Sequence, residues 1–257
     1  MKILLTNDDG ITSTHLQILS DTLVDNGFEL TVVAPDSEMS AVSHSISLRN
    51  PVRMRKIDDQ KYAVSGTPAD CTYMGMFHIM EKKPDLVISG INNGYNLGLD
   101  VYYSGTVAGA MEGVLRGIPG ISASIDRKVS ELWIRNFSQK ISDFAKELLK
   151  SNRKPILYNL NCPPVDKING FMFTGIGYRH YKDEVLVKHD PKGVEYYWLG
   201  GPVSKGYDNL EDGERRALED GYVSVTPMDP LIFSSRKDYM YTPLIDTQTI
   251  SEVLISI

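Results

Sequence analysis

Two adjacent carboxylates, Asp8 and Asp9, close the stretch LLTNDDG at the end of a short apolar run. Like charges this close repel each other. A divalent cation placed between them turns that repulsion into attraction. A hard cation such as Mg2+ takes about six oxygens, several of them from water and one or two from protein carboxylates. Gly10 can take backbone angles closed to other residues, so the turn can aim both side chains inward. The same string also reads as an Asx-turn leading into a helix cap.

More oxygen donors follow. After a second apolar run come Asp36 and then Ser40 to Ser45, with His44 among them. The stretch GINNGYNLG supplies Asn92, Asn93 and Asn96, and SGT supplies Ser104, Gly105 and Thr106. A helix that opens Ser-Gly-Thr presents free backbone amides beside hydroxyls, which suits a phosphate. It is equally an ordinary serine N-cap. Gly105, Gly109 and Gly113 recur every four residues, a spacing that lets a helix pack closely on a sheet.

The elements that must position these groups alternate. Lys2 to Thr6 reads as a buried strand and Thr14 to Asn26 as a helix, with Leu16, Leu19, Leu23 and Val24 on one face and Gly27 as its stop. Phe28 to Ala34 is a second strand, and Val52 to Ile57 with Lys61 to Ser65 form a hairpin around DDQ. In TPAD, Thr67 caps the next helix, Pro68 suits its first position and Asp70 completes a capping box. Asp85 to Ser89 is a strand, Ser104 to Arg116 a helix and Pro119 to Ser124 a strand. Ile134, Phe137, Ile141, Phe144 and Leu148 mark a longer helix before a strand at Ile156 to Leu160. This rhythm predicts an α/β fold, a Rossmann-like three-layer sandwich with a mostly parallel sheet. In such sheets ligands bind beyond the carboxyl ends of the strands, where the polar groups above collect.

After Pro164 the pattern changes to short β-like pieces, FMFTGIG, VEYYWLGG and GYVSVTP, with charged turns. The chain therefore divides into a core at 1–164 and a β-rich C-terminal extension at 165–257, read as an oligomerisation arm with a return to the core. Asp246 to Ile257 reads as a short helix.

The 257 residues are 42% hydrophobic, enough for a substantial core. A net charge of −6 argues against a nucleic-acid polymer as partner. No apolar stretch approaches the roughly 20 residues of a membrane span, and no leader opens the chain. Cys71 and Cys162 stand far apart without a CxxC motif, so the expectation is a reduced, soluble, cytoplasmic protein. There is no GxGxxG, no P-loop, no GxSxG elbow and no HExxH. Cys71 reads as a buried structural thiol, and Trp133 and Trp198 as packing residues. For His44, leaving-group protonation and a structural hydrogen bond both stand open.

ILLTNDDGI, VVAPDSEMSAVSHSIS, GTPADC, PDLVISGINNGYNLG and YSGTVAGAMEG occur in this order. Together they resemble the SurE (survival protein E) family of nucleotidases, and weaker echoes in EYYWLGG and DGYVSVTPMDP carry the likeness over most of the chain. The resemblance implies a Rossmann-like core with a C-terminal arm used in dimers or tetramers. It implies metal-dependent phosphomonoesterase activity on nucleoside 5′- and 3′-monophosphates, sometimes extending to short polyphosphate. By motif position it implies Asp8, Asp9, Ser40 and Asn92 as ligands of one Mg2+ or Mn2+ per subunit. Asn96 and the Ser104-Gly105-Thr106 turn match its phosphate pocket. Met39 departs from the family where arginine is frequent, and Ser43 where glycine is usual. On this reading a water activated by the metal attacks phosphorus, with Asp8 and Asp9 as the catalytic pair. The alternatives are an aspartyl-phosphate phosphatase and a receiver-like phosphoacceptor module. The first normally uses Asp-x-Asp, and the second is about half this length.

Overall fold

Alternation along the first strand decides which helices cover which face of the sheet. Ile3 and Leu5 point into one apolar cluster and Leu4 into another. The computed structural model describes residues 1–127, 129–151, 154–177, 179–181, 184–200, 203–207 and 213–230. In chain order the elements are β1 (Lys2–Thr6), α1 (Thr14–Asp25), β2 (Glu29–Pro35), β3 (Met54–Lys56), β4 (Lys61–Val64) and α2 (Pro68–Met74), the last continued by a π-helical turn at Gly75–Ile79. Then come β5 (Leu86–Asn93), a 3-10 turn at Gly98–Tyr102, α3 (Gly105–Leu115), β6 (Gly120–Ile125), α4 (Glu131–Lys150) and β7 (Leu157–Cys162). The remainder is β8 (Phe171–Phe173), β9 (Arg179–Tyr181), β10 (Val185–His189), β11 (Glu195–Leu199), β12 (Val203–Tyr207), α5 (Glu214–Glu219) and β13 (Val223–Met228).

Nine strands form one sheet in the order β3-β4-β2-β1-β5-β6-β7-β13-β8. The pairs β2–β4, β1–β2, β1–β5, β5–β6, β6–β7 and β13–β8 are parallel, and only β3–β4 and β13–β7 run antiparallel. Central strands β6 and β7 are buried at every position, as a sheet covered on both faces requires. On one face α1 and α4 pack through Leu16, Leu19, Leu23, Phe137, Ile141 and Phe144 against Ile3, Leu5 and Ile88. Each such side chain contributes roughly 1.5–3 kcal/mol by leaving water. On the other face Cys71 and Met76 meet Leu4, Val33 and Val87. This is the predicted three-layer α/β architecture.

Local chemistry sets the helix ends. Thr67 accepts from the Asp70 N–H while Asp70 accepts from the Thr67 N–H, so the predicted capping box is present with Pro68 at the start of α2. Gly27, at φ 84°, ends α1. Helix α3 lies close to the sheet because Gly109 and Gly113 have no side chain. A Cβ on Gly113 would sit 2.5 Å from Val87 Cγ2, and one on Gly109 would sit 2.9 Å from both Ser89 Oγ and Thr6 Cγ2.

Several expectations shift. The strand expected at Asp85 to Ser89 runs on to Asn93, so the two asparagines end a strand rather than start a loop. The hairpin strand expected from Val52 shortens to Met54–Lys56, an exposed edge whose Arg53 N–H turns instead to Ser65 Oγ. Beyond 164, β8 and β13 join the main sheet, whereas β10 and β11 form a separate two-stranded hairpin. Trp198 is not a core residue. It stands 63% exposed on β11, because a two-stranded ribbon has no second layer to cover it. Trp133 packs partly against the core and donates to Asp166 Oδ1 at 2.9 Å. Cys71 and Cys162 are both buried and unpaired. The helix expected at 246–257 lies outside the described residues. Among the described residues no helix is long and apolar enough to cross a membrane.

Candidate active site

At the carboxyl end of β1 the chain turns sharply through Asn7, Asp8, Asp9 and Gly10. Asn7 Nδ2 donates to Gly10 O at 3.0 Å and closes the turn. This is not the expected Asx-turn, in which Asn7 Oδ1 would accept a backbone N–H, because that oxygen has no partner. Gly10 takes φ 95°, and a Cβ there would press 3.3 Å against the Ser37 carbonyl carbon. The turn thus holds the two carboxylates beside the loop that follows β2. Met39 N–H donates to Asp8 O at 2.8 Å and fixes that loop in place.

Asp8 is buried, and its carboxylate rests on the N-terminus of α3. Thr106 Oγ1 donates to Asp8 Oδ1 at 2.6 Å, and the Thr106 backbone N–H donates as well. Burial pushes the Asp8 carboxyl up to about 6, and the neighbouring Asp9 charge adds to the rise. The Thr106 hydroxyl opposes it. Asp9 is likewise raised, first by burial and then by Glu38. His15 and the Asn93 N–H, which donates to its carboxylate, pull the other way. Two groups that resist ionisation at the mouth of a parallel sheet mark a site where a bound cation changes the energetics most.

The structure brings five of the eight predicted site residues into one neighbourhood: Asp8, Asp9, Ser40, Gly105 and Thr106. Gly105 packs so closely that a Cβ would lie 3.1 Å from both Asp8 Cβ and Met39 O. Asn92 adjoins through Asn93, which holds Asp9, and its Nδ2 donates to Gly94 O at 2.7 Å, leaving Oδ1 as a donor of electrons. Ser40 is exposed and its hydroxyl donates to Glu38 Oε1 at 2.6 Å. Ser104 caps α3 by accepting from Val107 N–H at 3.1 Å. Asn96 serves as an anchor. Its Nδ2 donates to Ser124 Oγ, its N–H donates to Asn161 Oδ1, and its carbonyl accepts from Asn159 and Asn161.

A metal fits this donor set on the structure's own terms. Asp9 Oδ2 and Asn7 Oδ1 are buried without any hydrogen-bond partner, an arrangement that native interiors avoid unless something else satisfies the atom. The available donors are carboxylate, hydroxyl and amide oxygens, the set that hard cations prefer. Among the described residues no three His, Cys, Asp or Glu side chains gather as a metal site. Asp8 and Asp9 are the carboxylates available there, and Ser40 and Asn92 offer neutral oxygens.

Several contributors escaped the sequence reading. Glu38 and His15 flank Asp9, and nothing in their spacing announced it. Asn159 and Asn161 interrupt the apolar run LYNLNC two residues apart, a signal that both face one side of a strand. Buried Glu214 accepts from Gly98 N–H at 2.8 Å, Gly177 N–H at 3.2 Å and Thr226 Oγ1 at 3.0 Å. His44 Nε2 pairs with Glu112 Oε2 at 2.9 Å. Burial would raise Glu112, but the hydrogen bonds from His44 and Arg116 outweigh it and hold the carboxyl below its usual range.

A family model described as Survival protein SurE matches residues 3–183 of this sequence. The chain belongs to the SurE family. It is 42% identical over 233 residues to the 5′-nucleotidase SurE of Caldanaerobacter subterraneus, covering 88% of this chain and 90% of that protein. It is 41% identical over 247 residues to the protein of the same name from Thermosipho africanus, covering 93% and 95%. The crystal structure of the SurE protein from Aquifex aeolicus superposes with a TM-score of 0.76 at 36% identity, covering 98% of each chain. The mostly parallel sheet found here thus agrees with that of a family member.

Proposed function

We propose that this chain is a divalent-metal-dependent phosphomonoesterase that releases phosphate from nucleoside monophosphates. The enzyme class is 5′-nucleotidase, the activity for which the relatives that match nearly the whole chain are named. The observation that carries the site is the pairing of buried Asp8 with half-buried Asp9 at the end of β1, with Asp9 Oδ2 unpartnered. Asp8, Asp9, Ser40 and Asn92 would hold the cation, Mg2+ or Mn2+. When bound, it would polarise the phosphoryl oxygens and lower the pKa of a coordinated water.

The chain's own residues supply the rest. Asp8 and Asp9 orient the nucleophile side of the site, and Thr106 keeps Asp8 pointed and ionised. The amides that open α3, from Gly105 onward, are suited to a phosphoryl oxygen that gains charge, and the Ser104 side chain caps them. Asn96 is held by the rigid ends of β6 and β7 and adds a fixed wall rather than a mobile clamp. Action on 3′-monophosphates and short polyphosphate belongs to the same reading, as do a cytoplasmic location, a core at 1–164, and an extension at 165–257 that joins subunits into dimers or tetramers. The apolar, exposed β10–β11 hairpin supports that arm.

The test is phosphate release from 5′-AMP, 3′-AMP and tripolyphosphate with Mg2+, Mn2+ or a chelator. Release that a chelator abolishes and metal restores is the expected result. Release unaffected by chelation overturns the metal dependence, and no release from any nucleotide overturns the activity.

A further inference from the structure

None of the eight proposed site residues carries a positive charge, yet a nucleotide brings a phosphate dianion to a place already holding Asp8 and Asp9. A divalent cation balances the two carboxylates and leaves the substrate's charge uncompensated. We propose that Arg127 is a substrate-positioning residue whose guanidinium binds the phosphate of the incoming nucleotide. The proposal rests on the nucleotidase reading above.

Arg127 follows β6 by two residues. Strands β1, β5 and β6 run parallel, so Arg127 stands at the same end of the sheet as Asp8 and Asp9. Its side chain lies across the turn after β5. A Cβ built on Gly94 would meet Arg127 Nε at 3.0 Å, Cγ at 3.5 Å and Nη2 at 3.7 Å. That turn is tied to the site from both sides. Gly94 O accepts from Asn92 Nδ2, and Asn93, the residue before Gly94, gives its backbone N–H to the Asp9 carboxylate. Gly94 N–H donates to Ile125 O at 2.8 Å, so the turn and the end of β6 are joined.

The guanidinium is also unspent. Arg116 and Arg135 each hold a carboxylate at 2.9 Å and 2.6 Å, whereas Arg127 is exposed and makes no ion pair or hydrogen bond among the described residues. Five N–H donors in a planar fork match a phosphate group in two-point geometry. Gly94 sits at φ 140°, a conformation open to glycine, and its missing side chain leaves the space Arg127 fills.

The experiment measures binding of inorganic phosphate by calorimetry in Mn2+, and steady-state hydrolysis of 5′-AMP, for the full chain and for Arg127→Gln, Arg127→Lys and Gly94→Ala. Arg55→Gln, a charge removed from the distant edge strand β3, is the control. Arg127→Gln is expected to weaken phosphate binding and raise KM about tenfold, the scale of one charge-assisted contact, with kcat and Mn2+ affinity nearly unchanged. Arg127→Lys recovers part of the loss because lysine offers charge without the fork. Gly94→Ala displaces the guanidinium and reproduces the KM effect in part. Wild-type KM rises more steeply with added NaCl than that of Arg127→Gln, since screening removes only what the arginine supplies.

Unchanged phosphate affinity and KM in folded Arg127→Gln overturn the proposal. So does a fall in kcat and Mn2+ affinity together with the thermal midpoint, which marks a structural role. Wild-type protein that turns over no nucleotide defeats the nucleotidase reading, and phosphate affinity still decides on Arg127.

Discussion

The hydroxyl of Thr106 donates to Asp8 Oδ1 across 2.6 Å and so joins the end of β1 to the first turn of α3, 98 residues later in the chain. The contact makes the site a product of two elements. Replacing Thr106 with valine keeps the shape and removes the donor. Asp8 then faces burial and the charge of Asp9 with less help, and its pKa rises further above 6. Turnover near pH 7 is expected to fall about 10- to 100-fold, with the acid limb of the pH–rate profile moving to higher pH. Thr106→Ser restores the donor and most of the rate. Phosphate release across pH 5–9 checks this, with the thermal midpoint showing that the fold persists.

The raised Asp8 value also fixes a pH dependence for the metal-free protein. Its folded pKa, about 6, exceeds the ordinary 3.8. The folded state therefore holds the proton more tightly than the unfolded chain. The stabilisation is complete below the unfolded value and disappears as pH rises through the folded one. The loss between roughly pH 4 and 6 is about 3 kcal/mol for a group this buried. Urea denaturation of chelator-treated protein is expected to show that decline. Asp8→Asn removes the titration, flattens the curve and leaves the metal-free protein more stable than wild type at pH 7. The same variant, and Asp9→Asn, cut phosphate release by orders of magnitude. Added Mn2+ stabilises the wild type and does little for either variant.

Gly105 tests how tightly the site is built. It belongs to the four-residue glycine repeat, yet it faces Asp8 and Met39 rather than the sheet. A Cβ at 3.1 Å from Asp8 Cβ and from Met39 O forces one of them to move. Gly105→Ala is expected to lower kcat/KM at least about tenfold. Its effect on stability stays within about 2 kcal/mol, because the better helix former offsets part of the crowding. Gly113→Ala clashes with Val87 instead, at 2.5 Å. It should destabilise the fold while leaving the activity of the folded fraction intact. Activity normalised to folded protein separates the two.

Much of this was legible before any coordinates. The apolar runs, the Thr67 capping box and the Gly27 stop depend on local chemistry, and they appear where the sequence places them. The Asp8–Asp9 turn was legible for the same reason. What the sequence hid is tertiary. Thr106 reads as a phosphate ligand but gives its hydroxyl to Asp8. Asn96 also reads as a ligand but is bonded to Ser124, Asn159 and Asn161, which become its neighbours only once β5, β6 and β7 lie side by side. Glu214 looks like one more charge in a polar turn, and it is buried because Gly98 and Gly177 bring it their amides. Ser43 was visible as a departure from glycine, and the structure supplies the physics: its φ is 53°, where a side chain costs about 1–2 kcal/mol. The loop carrying Ser40 therefore holds strain that Ser43→Gly should release.

The hairpin of β10 and β11 is apolar and exposed on both faces. Its register pairs Val185 with Leu199 and Val187 with Tyr197 on one face, and Leu186 with Trp198 on the other. All of these side chains are exposed. A two-stranded ribbon is marginal in water by itself, and apolar residues on both faces give neither side a reason to stay wet. Association through this arm covers them. Sedimentation at micromolar concentration is expected to show a dimer or tetramer. Val187→Glu with Trp198→Lys, which place charge on each face, should shift the protein toward monomer. Trp198 emission is expected to move to shorter wavelength as concentration rises and its ring leaves water, in a Trp133→Phe background that removes the other indole. A compact monomer at all concentrations, with Trp198 emission fixed at the wavelength of a solvated indole, would show that the arm does not join subunits.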